Sequence, residues 1–371
     1  MPTIKSYIPI LRWKLGEILA MERLYSRDRA GITPLIEFIM PAPTTDKNDY
    51  KKILEDPQSK FLRILPKITK QIIKSWGKDA IFIDVHLLDG NIRIRAFEEI
   101  LSSADMLDIF AVPVIHIIPV TSTDADMATR KVAVKYAKIN GTGLCIRIDK
   151  SHLDDINIAD HITKFVKDNE LDIKTSDLFV DLQVIDKESS ADSTAEKLAR
   201  LPNIGQWRSF IVSGGAFPKD LAGFPKHNHY ALDRLDWDLW KKIIKSDLLK
   251  RHPFFSDYTI QHPIHYGYVP GANTSASVRY TDDETWKVMR GEGLKNPKGA
   301  GHKQYPAHAQ SIVTQPFFNF RGADYSFGDA YIAERASPDN EKSGNPTTWI
   351  TAGINHHLTL VMRRIASLPE N

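Results

Sequence analysis

The sequence predicts an α/β protein, a (β/α)8 TIM-like barrel with a large insertion between strand 8 and helix 8. Three observations predict it. Eight short apolar runs alternate with amphipathic segments of helical spacing, and eight parallel βαβ strands is the number that closes a barrel. Several of the runs alternate apolar with polar residues, as though one face met helices and the other pointed into a barrel; the central strands of an open doubly wound sheet are apolar on both faces. An ionisable residue also stands near the end of nearly every run.

The first strand is expected over Tyr7–Lys14, the second over Ile32–Ile39, with an amphipathic segment between them. Met40–Lys47 is a Pro- and Thr-rich loop, and Phe61, Leu65, Ile68, Ile72 and Trp76 then share one helical face. Ala80–Leu88 is strand three, broken by Gly90, and Phe97, Ile100, Leu101 and Ala104 mark the next helix. Phe110–Pro119 is strand four, ended by its proline, and Asp124–Ile139 is helical with Asn140-Gly141 as its C-cap. Strands five, six and seven are expected at Leu144–Asp149, Leu178–Ile185 and Phe210–Ser213. Helical patterns lie between them, at Ile158–Val166 and Ala195–Leu201, and a further one follows at Leu232–Leu249. Tyr258–His262 is strand eight, closed by Pro263.

After strand eight the rhythm stops, and a single strong helical pattern remains, Ala352–Leu368. The chain divides on this reading into barrel strands (1–263), an inserted lid or partner-binding subdomain (264–350) and the last barrel helix (351–371). A loop of that length leaves the barrel from its C-terminal face, where active sites of this architecture lie. Within it, Ser277–Thr281 and Trp286–Arg290 read as a hairpin around Asp282–Glu284, and Gly291–Gln310 as a mobile loop.

Composition excludes several classes. The 371 residues are 42% hydrophobic and 26% charged, ordinary for a globular chain. A net charge of +3 is too small to imply a nucleic-acid binder from bulk electrostatics. The single cysteine, Cys145, forbids an intrachain disulfide and fits a reducing, cytoplasmic setting. The N-terminus lacks a signal-peptide pattern, and no apolar run approaches the roughly 20 residues of a membrane span. Walker, HExxH, GxSxG and CxxC motifs are absent.

Period-two alternation assigns the faces. Phe82, Asp84 and His86 oppose Ile81, Ile83 and Val85; Cys145, Arg147 and Asp149 oppose Leu144, Ile146 and Ile148; Phe179, Asp181 and Gln183 oppose Leu178, Val180 and Leu182. The mixed sets point inward, and by the same logic so do Arg12 and Lys14, Glu37, His116 and His262. Charge inside a barrel must find partners or lose its ionisation. One reading is an anion site: Arg12, Lys14 and Arg147 hold a phosphate or carboxylate, and Glu37, Asp84 and Asp181 serve as general bases or metal ligands with His116 and His262 as proton carriers. Carboxylates from separate strands would suit Mg²⁺ or Mn²⁺, although no local spacing supports a metal. The other reading is a buried ion-pair network in which Arg147 bridges Asp84 and Asp181 without a ligand. Ser213-Gly214-Gly215 could offer backbone N–H groups to a phosphate, or form a tight turn. Arg279 and Arg290 flank the hairpin and could close on an anion. His356 and His357 could reach the barrel mouth, but they project about 100° apart on a helix and cannot easily share one metal.

Tyr7–Glu17, Ile32–Glu37, Asp257–Pro263, Val278–Thr281 with Trp286–Gly291, Ser326–Ile332, and Trp349 with His356-His357-Leu358 are similar, in that order, to stretches of the phage-type beta protein family. That family is named from a bacteriophage T4 protein and found widely in bacteria and prophages. The resemblance spans essentially the whole chain and implies the company of phages and bacterial conflict loci, with no established activity to carry over. It draws attention to Arg279, Tyr280, Arg290, Gly328, Asp329 and His357, which lie in its motifs. Two functions follow as expectations. The first is a barrel hydrolase or lyase acting on a phosphate-bearing small molecule or nucleic acid. The second is a non-catalytic component that recognises a protein partner in a defence or counter-defence system.

Overall fold

The sheet at the centre of the chain is parallel and runs in strict sequence order. Its strands are β1 (Ile10–Arg12), β2 (Leu35–Glu37), β3 (Ile81–Asp84), β4 (Ile117–Thr121), β5 (Cys145–Asp149), β6 (Asp177–Val184), β7 (Ser209–Gly215) and β8 (Phe254–Asp257). Tyr7, just before β1, makes a parallel bridge to Phe255 of β8, and Ile8 N donates to Phe255 O at 2.9 Å, so the two ends of the sheet meet. The computed structural model describes residues 5–46, 49, 51–104 and 115–368. No helix among these is long and apolar enough to cross a membrane.

The alternation in the sequence sorts the side chains into two cores. Leu11, Ile36, Ile81, Ile83, Ile146 and Val180 join the large core between sheet and helices. Ile10, Leu35, Phe82, Ile118, Phe179 and Ile211 pack together in a second cluster with Cys145, the barrel interior. Both arrangements follow from the strand period of two. Above that apolar interior, the next inward positions are polar. Arg12, Glu37 and Asp84 lie in register across β1–β3, and Asp149, Asp181, Ser213 and Ser256 across β5–β8.

Several expectations are corrected. Strand eight is Phe254–Asp257, not Tyr258–His262: Thr259 takes φ 58°, which ends the strand, and donates its N–H to Asp257 Oδ1 at 3.1 Å. Strand four runs to Thr121 with Pro119 inside it, while the expected residues 110–114 lie outside the described residues. The segment expected to be helical from Leu232 begins instead as a strand, Asn228–Asp233, and becomes helix only at Leu235–Ile243. Of Gly291–Gln310, expected as a mobile loop, the end from Gln304 belongs to a helix, Gln304–Thr314. The hairpin is as expected, Val278–Thr281 paired with Thr285–Arg290, and Asn228–Asp233 adds to it as a third strand.

This side sheet joins two bodies of packing. Trp286 and Val288 belong to the main core, while Val278, Tyr280 and Met289 pack with Tyr305, Ile312, Phe318 and Trp349. The last helix, Pro346–Ala366, starts at an Asn345–Thr348 capping box and is buried along most of its length. Gly328 lets the helix Phe327–Ala336 approach it closely; a Cβ there would fall 2.1 Å from Ala352 O.

Candidate functional site

Arg147, on β5, holds the polar layer together. Its Nη1 donates to Asp84 Oδ2 at 2.7 Å, and its Nη2 lies 2.9 Å from Glu37 Oε1, 2.6 Å from Asp181 Oδ2 and 3.0 Å from the Tyr258 hydroxyl. Tyr258 in turn donates to Asp181 Oδ2 at 2.6 Å. Burial and the Asp181 charge push the Tyr258 phenol well above its ordinary value, so it stays a donor. One guanidinium thus gathers carboxylates from β2, β3 and β6, satisfying charges that would be costly alone. Arg12 lies 3.5 Å through Nε from Glu37 Oε2, and its Nη2 donates to Pro263 O.

His86 follows β3 on the Asp84 face, as alternation requires. Its Nδ1 sits 2.9 Å from Asp84 Oδ1, and its backbone N–H donates to the same oxygen at 2.9 Å. Asp84 therefore has Arg147 on one oxygen and His86 on the other. Burial opposes its charge, yet His86 and Arg147 hold its carboxyl well below the usual range. The same pair acts in reverse on the imidazole. Burial disfavours its cation, but Asp84 outweighs that and raises its pKa above the ordinary value.

A cavity of about 340 Å³ opens at the C-terminal ends of β3, β4, β5 and β6. Asp84, His86, Arg147 and Asp181 form its inner wall, with Thr121, Asp124, Asp149 and His152 around them. His152 spans two carboxylates, Nδ1 at 2.8 Å from Asp149 Oδ1 and Nε2 at 3.1 Å from Asp124 Oδ2. Among the described residues no group of three or more His, Cys, Asp or Glu side chains is arranged to hold a metal ion.

The structure brings together Arg12, Glu37, Asp84, Arg147 and Asp181 of the residues singled out in the sequence. Others stand elsewhere. His116 precedes β4, its carbonyl accepting from Ile81 N and its Nδ1 3.1 Å from Lys78 O, so it lies at the opposite, N-terminal end of the barrel. Its displacement follows from the shift of strand four. His262 is beyond β8, with Nδ1 accepting from Ile264 N at 3.1 Å and its ring 5.6 Å from that of Tyr266. Lys14 is exposed where the first helix begins. Ser213 is buried beside Asp181 in register, its hydroxyl without a hydrogen-bond partner among the described residues. Arg279 donates to Ile260 O at 2.6 Å and lies over the Phe217 ring, burial lowering its pKa to about 10. Arg290 Nη1 donates to Ser277 Oγ at 3.3 Å within the side sheet.

Sequence reasoning passed over four residues that belong here. Thr121 and His152 carry no local motif, and Tyr258 lies in the Asp257–Pro263 stretch without standing out as a site residue. Glu17, in the helix after β1, is buried and accepts the Arg12 N–H; burial raises its carboxyl to about 7. An acid on the buried side of an amphipathic helix was the signal available for it.

A second buried network lies beside the first. Asp257, the last residue of β8, accepts from Tyr7 OH at 2.9 Å and pairs with His357 Nε2 at 2.8 Å. His357 Nδ1 lies 2.9 Å from Thr281 Oγ1, and His356 Nε2 is 2.7 Å from Thr281 O. His356 Nδ1 meets Asp329 Oδ2 at 2.7 Å, and Asp329 also accepts from Tyr280 OH and Ser326 Oγ. The adjacent histidines serve different aspartates, as their angular separation requires. Asp257, Tyr280, Thr281, Ser326, Asp329 and the His pair come from the dispersed motifs, which this network brings into one place. The Beta protein family model matches residues 7–363. No curated protein matches the chain. With that match running through both networks and nearly the whole barrel, the chain belongs to the Beta protein family.

Proposed function

We propose that the mouth between β3 and β6 is a small-molecule site in which His86, held by Asp84, transfers a proton in a reaction of the hydrolase or lyase type. The observation that carries this reading is the cavity of about 340 Å³ at the ends of four consecutive strands, with the Asp84–His86 pair in its wall. Its volume is that of a small-ligand site, and its place is where barrel enzymes carry their chemistry. An imidazole can take up and return a proton, and Asp84 fixes which ring nitrogen is free to do so. Arg147 is a positioning residue on this account, orienting Asp84 and Asp181. The narrower expectation of a phosphate ester has less support, because both Nη atoms of Arg147 are already bonded to carboxylates.

The test is consumption of a polar metabolite mixture by the purified chain, followed by mass spectrometry. The wild-type chain is expected to deplete at least one component, with a rate on the order of 100-fold lower in His86→Gln. Indistinguishable profiles from two equally folded proteins would remove the proposal.

A second reading, recognition of a macromolecule in the phage–bacterium setting that the resemblance implies, is favoured by one feature. The loop after β8 exposes Ile264, Tyr266, Tyr268 and Val269 together, and clustered exposed apolar side chains mark interaction surfaces. It predicts a co-purifying partner that is lost in a Tyr266→Ser/Tyr268→Ser variant while metabolite turnover is absent.

A further inference from the structure

Resting on the reading of the mouth as a ligand site, we infer that the pocket takes a cationic small molecule, one carrying an ammonium group, in preference to a phosphate. Five carboxylates line it: Asp84, Asp124, Asp126, Asp149 and Asp181. They face two guanidiniums and two imidazoles, so the wall stays net negative even with His86 and His152 both protonated. In a partly enclosed site that sign governs which ligands enter.

The two cations are also committed. Arg93 donates through Nε to Leu88 O at 2.9 Å, through Nη1 to Asp126 Oδ2 at 3.2 Å and through Nη2 to His86 O at 3.1 Å. Arg147 is bonded through both Nη atoms to the carboxylates of the polar layer. A phosphate would have to displace carboxylates that are held in place from several strands.

Thr121 and Asp149 are placed to accept from a donor-rich ligand. Thr121, at the end of β4, is only 5% exposed, lines the pocket, and has a hydroxyl with no hydrogen-bond partner among the described residues. A buried polar atom without a partner is uncommon and marks a place that a ligand group can complete. Asp149, at the end of β5, accepts from Ser151 Oγ and His152 N on one carboxylate oxygen, Oδ1, which also lies 2.8 Å from His152 Nδ1. Its other oxygen is the natural seat for an ammonium, an acceptor-only group meeting a donor-only group.

Putrescine and inorganic phosphate are the probes, titrated separately into the full chain at pH 7 by calorimetry. The metabolite assay is run in parallel on the same preparation. Thr121→Val preserves shape, and Asp149→Asn preserves the N-cap of the short helix Lys150–Asp154, so both variants are expected to fold. The expected result is saturable putrescine binding, weakened at least tenfold in each variant and weakened by salt, with no binding of phosphate. Phosphate binding without putrescine binding overturns the inference. Putrescine binding that neither variant changes is adventitious and overturns it too. Absence of amine binding alongside His86-dependent turnover overturns the charge assignment and leaves the proton-transfer reading standing. Putrescine binding that depends on both residues, in a chain whose His86→Gln variant turns over metabolites as well as wild type, supports the site and removes the catalytic role instead.

Discussion

His357 Nε2 lies 2.8 Å from Asp257 Oδ2, so the last helix is fastened to the last barrel strand by a fully buried pair 100 residues apart in sequence. The other oxygen of Asp257 accepts from Tyr7 at the start of the first strand, where the sheet closes. One carboxylate therefore ties together both edges of the barrel and the helix that covers the seam. Asp257→Ala is expected to lower unfolding free energy by about 3–5 kcal/mol, the cost of breaking a buried pair from one side, as read by urea denaturation. Burial works against the Asp257 charge, but His357 and Arg234 hold its pKa below the ordinary carboxylate value. Its contribution is therefore present above that value and is lost as pH falls through the lowered, folded-state pKa. The acid side of the stability curve should accordingly be shallower in the variant than in wild type.

Removal of Arg147 should be most damaging at neutral pH. Arg147→Ala leaves Glu37, Asp84 and Asp181 facing one another without their shared cation, at an expected cost of about 3–5 kcal/mol at pH 7. The deficit should shrink at acid pH, because the Asp84 carboxyl, which Arg147 helps to hold below the usual range, takes up a proton more readily once the guanidinium is gone. Chemical denaturation at the two pH values measures the difference. Equal deficits would mean that Asp84 does not depend on Arg147 for its charge.

Glu17 gives the opposite sign. Burial raises its carboxyl from 4.5 to about 7, so the folded state holds a proton that the unfolded chain has released. Stability should fall as pH rises from the unfolded value through about 7. The loss from this group is about 3 kcal/mol, at 1.36 kcal/mol for each pKa unit. Glu17→Gln keeps an acceptor for the Arg12 N–H and removes the titration. The variant is expected to be more stable than wild type at pH 8 and equal to it near pH 4, by denaturation midpoints.

Close packing of the last two helices rests on Gly328. A methyl group there would meet the carbonyl of Ala352 at 2.1 Å, and the Gly328 N–H donates to Asn355 Oδ1 at 3.0 Å. Gly328→Ala should destabilise by about 1–3 kcal/mol, the usual range for overpacking, seen as a lowered thermal midpoint. An unchanged midpoint would show that the helices separate freely.

The barrel was legible because its strands alternate strictly: parity alone put Asp84, Arg147 and Asp181 on the inside and Ile83, Ile146 and Val180 against the helices. Parity fails where the strand limits are wrong. Tyr258–His262 alternates as well as a strand does, and only the left-handed φ of Thr259 reveals that β8 ends at Asp257. Pro119 reads as a terminator, yet it sits inside β4, which moves the strand's functional end from the neighbourhood of His116 to Thr121. Asn228–Asp233 has its pairing partner, Thr285–Arg290, more than 50 residues away, and its one leucine, Leu232, continues the helical spacing of Leu235 and Leu239, so local pattern misassigns it. The polar layer was visible as charge at strand ends. The pairing of Arg147 with Asp84 and Asp181 was among the readings, whereas Glu37 as its third carboxylate was not, because the three carboxylates come from three different strands.

The measurement that bears most directly on the mouth as a reactive site is the NMR titration of the His86 imidazole in wild type and in Asp84→Asn. Asp84 raises the His86 pKa above 6.5 despite burial, so the proton is held more tightly in the folded chain. Its stabilising contribution is full below the unfolded value and is lost as pH rises through the folded one. The account predicts a His86 pKa above the ordinary value in wild type that drops on Asp84→Asn substitution. A His86 that titrates at or below 6.5 in wild type, or that is indifferent to Asp84, would contradict it.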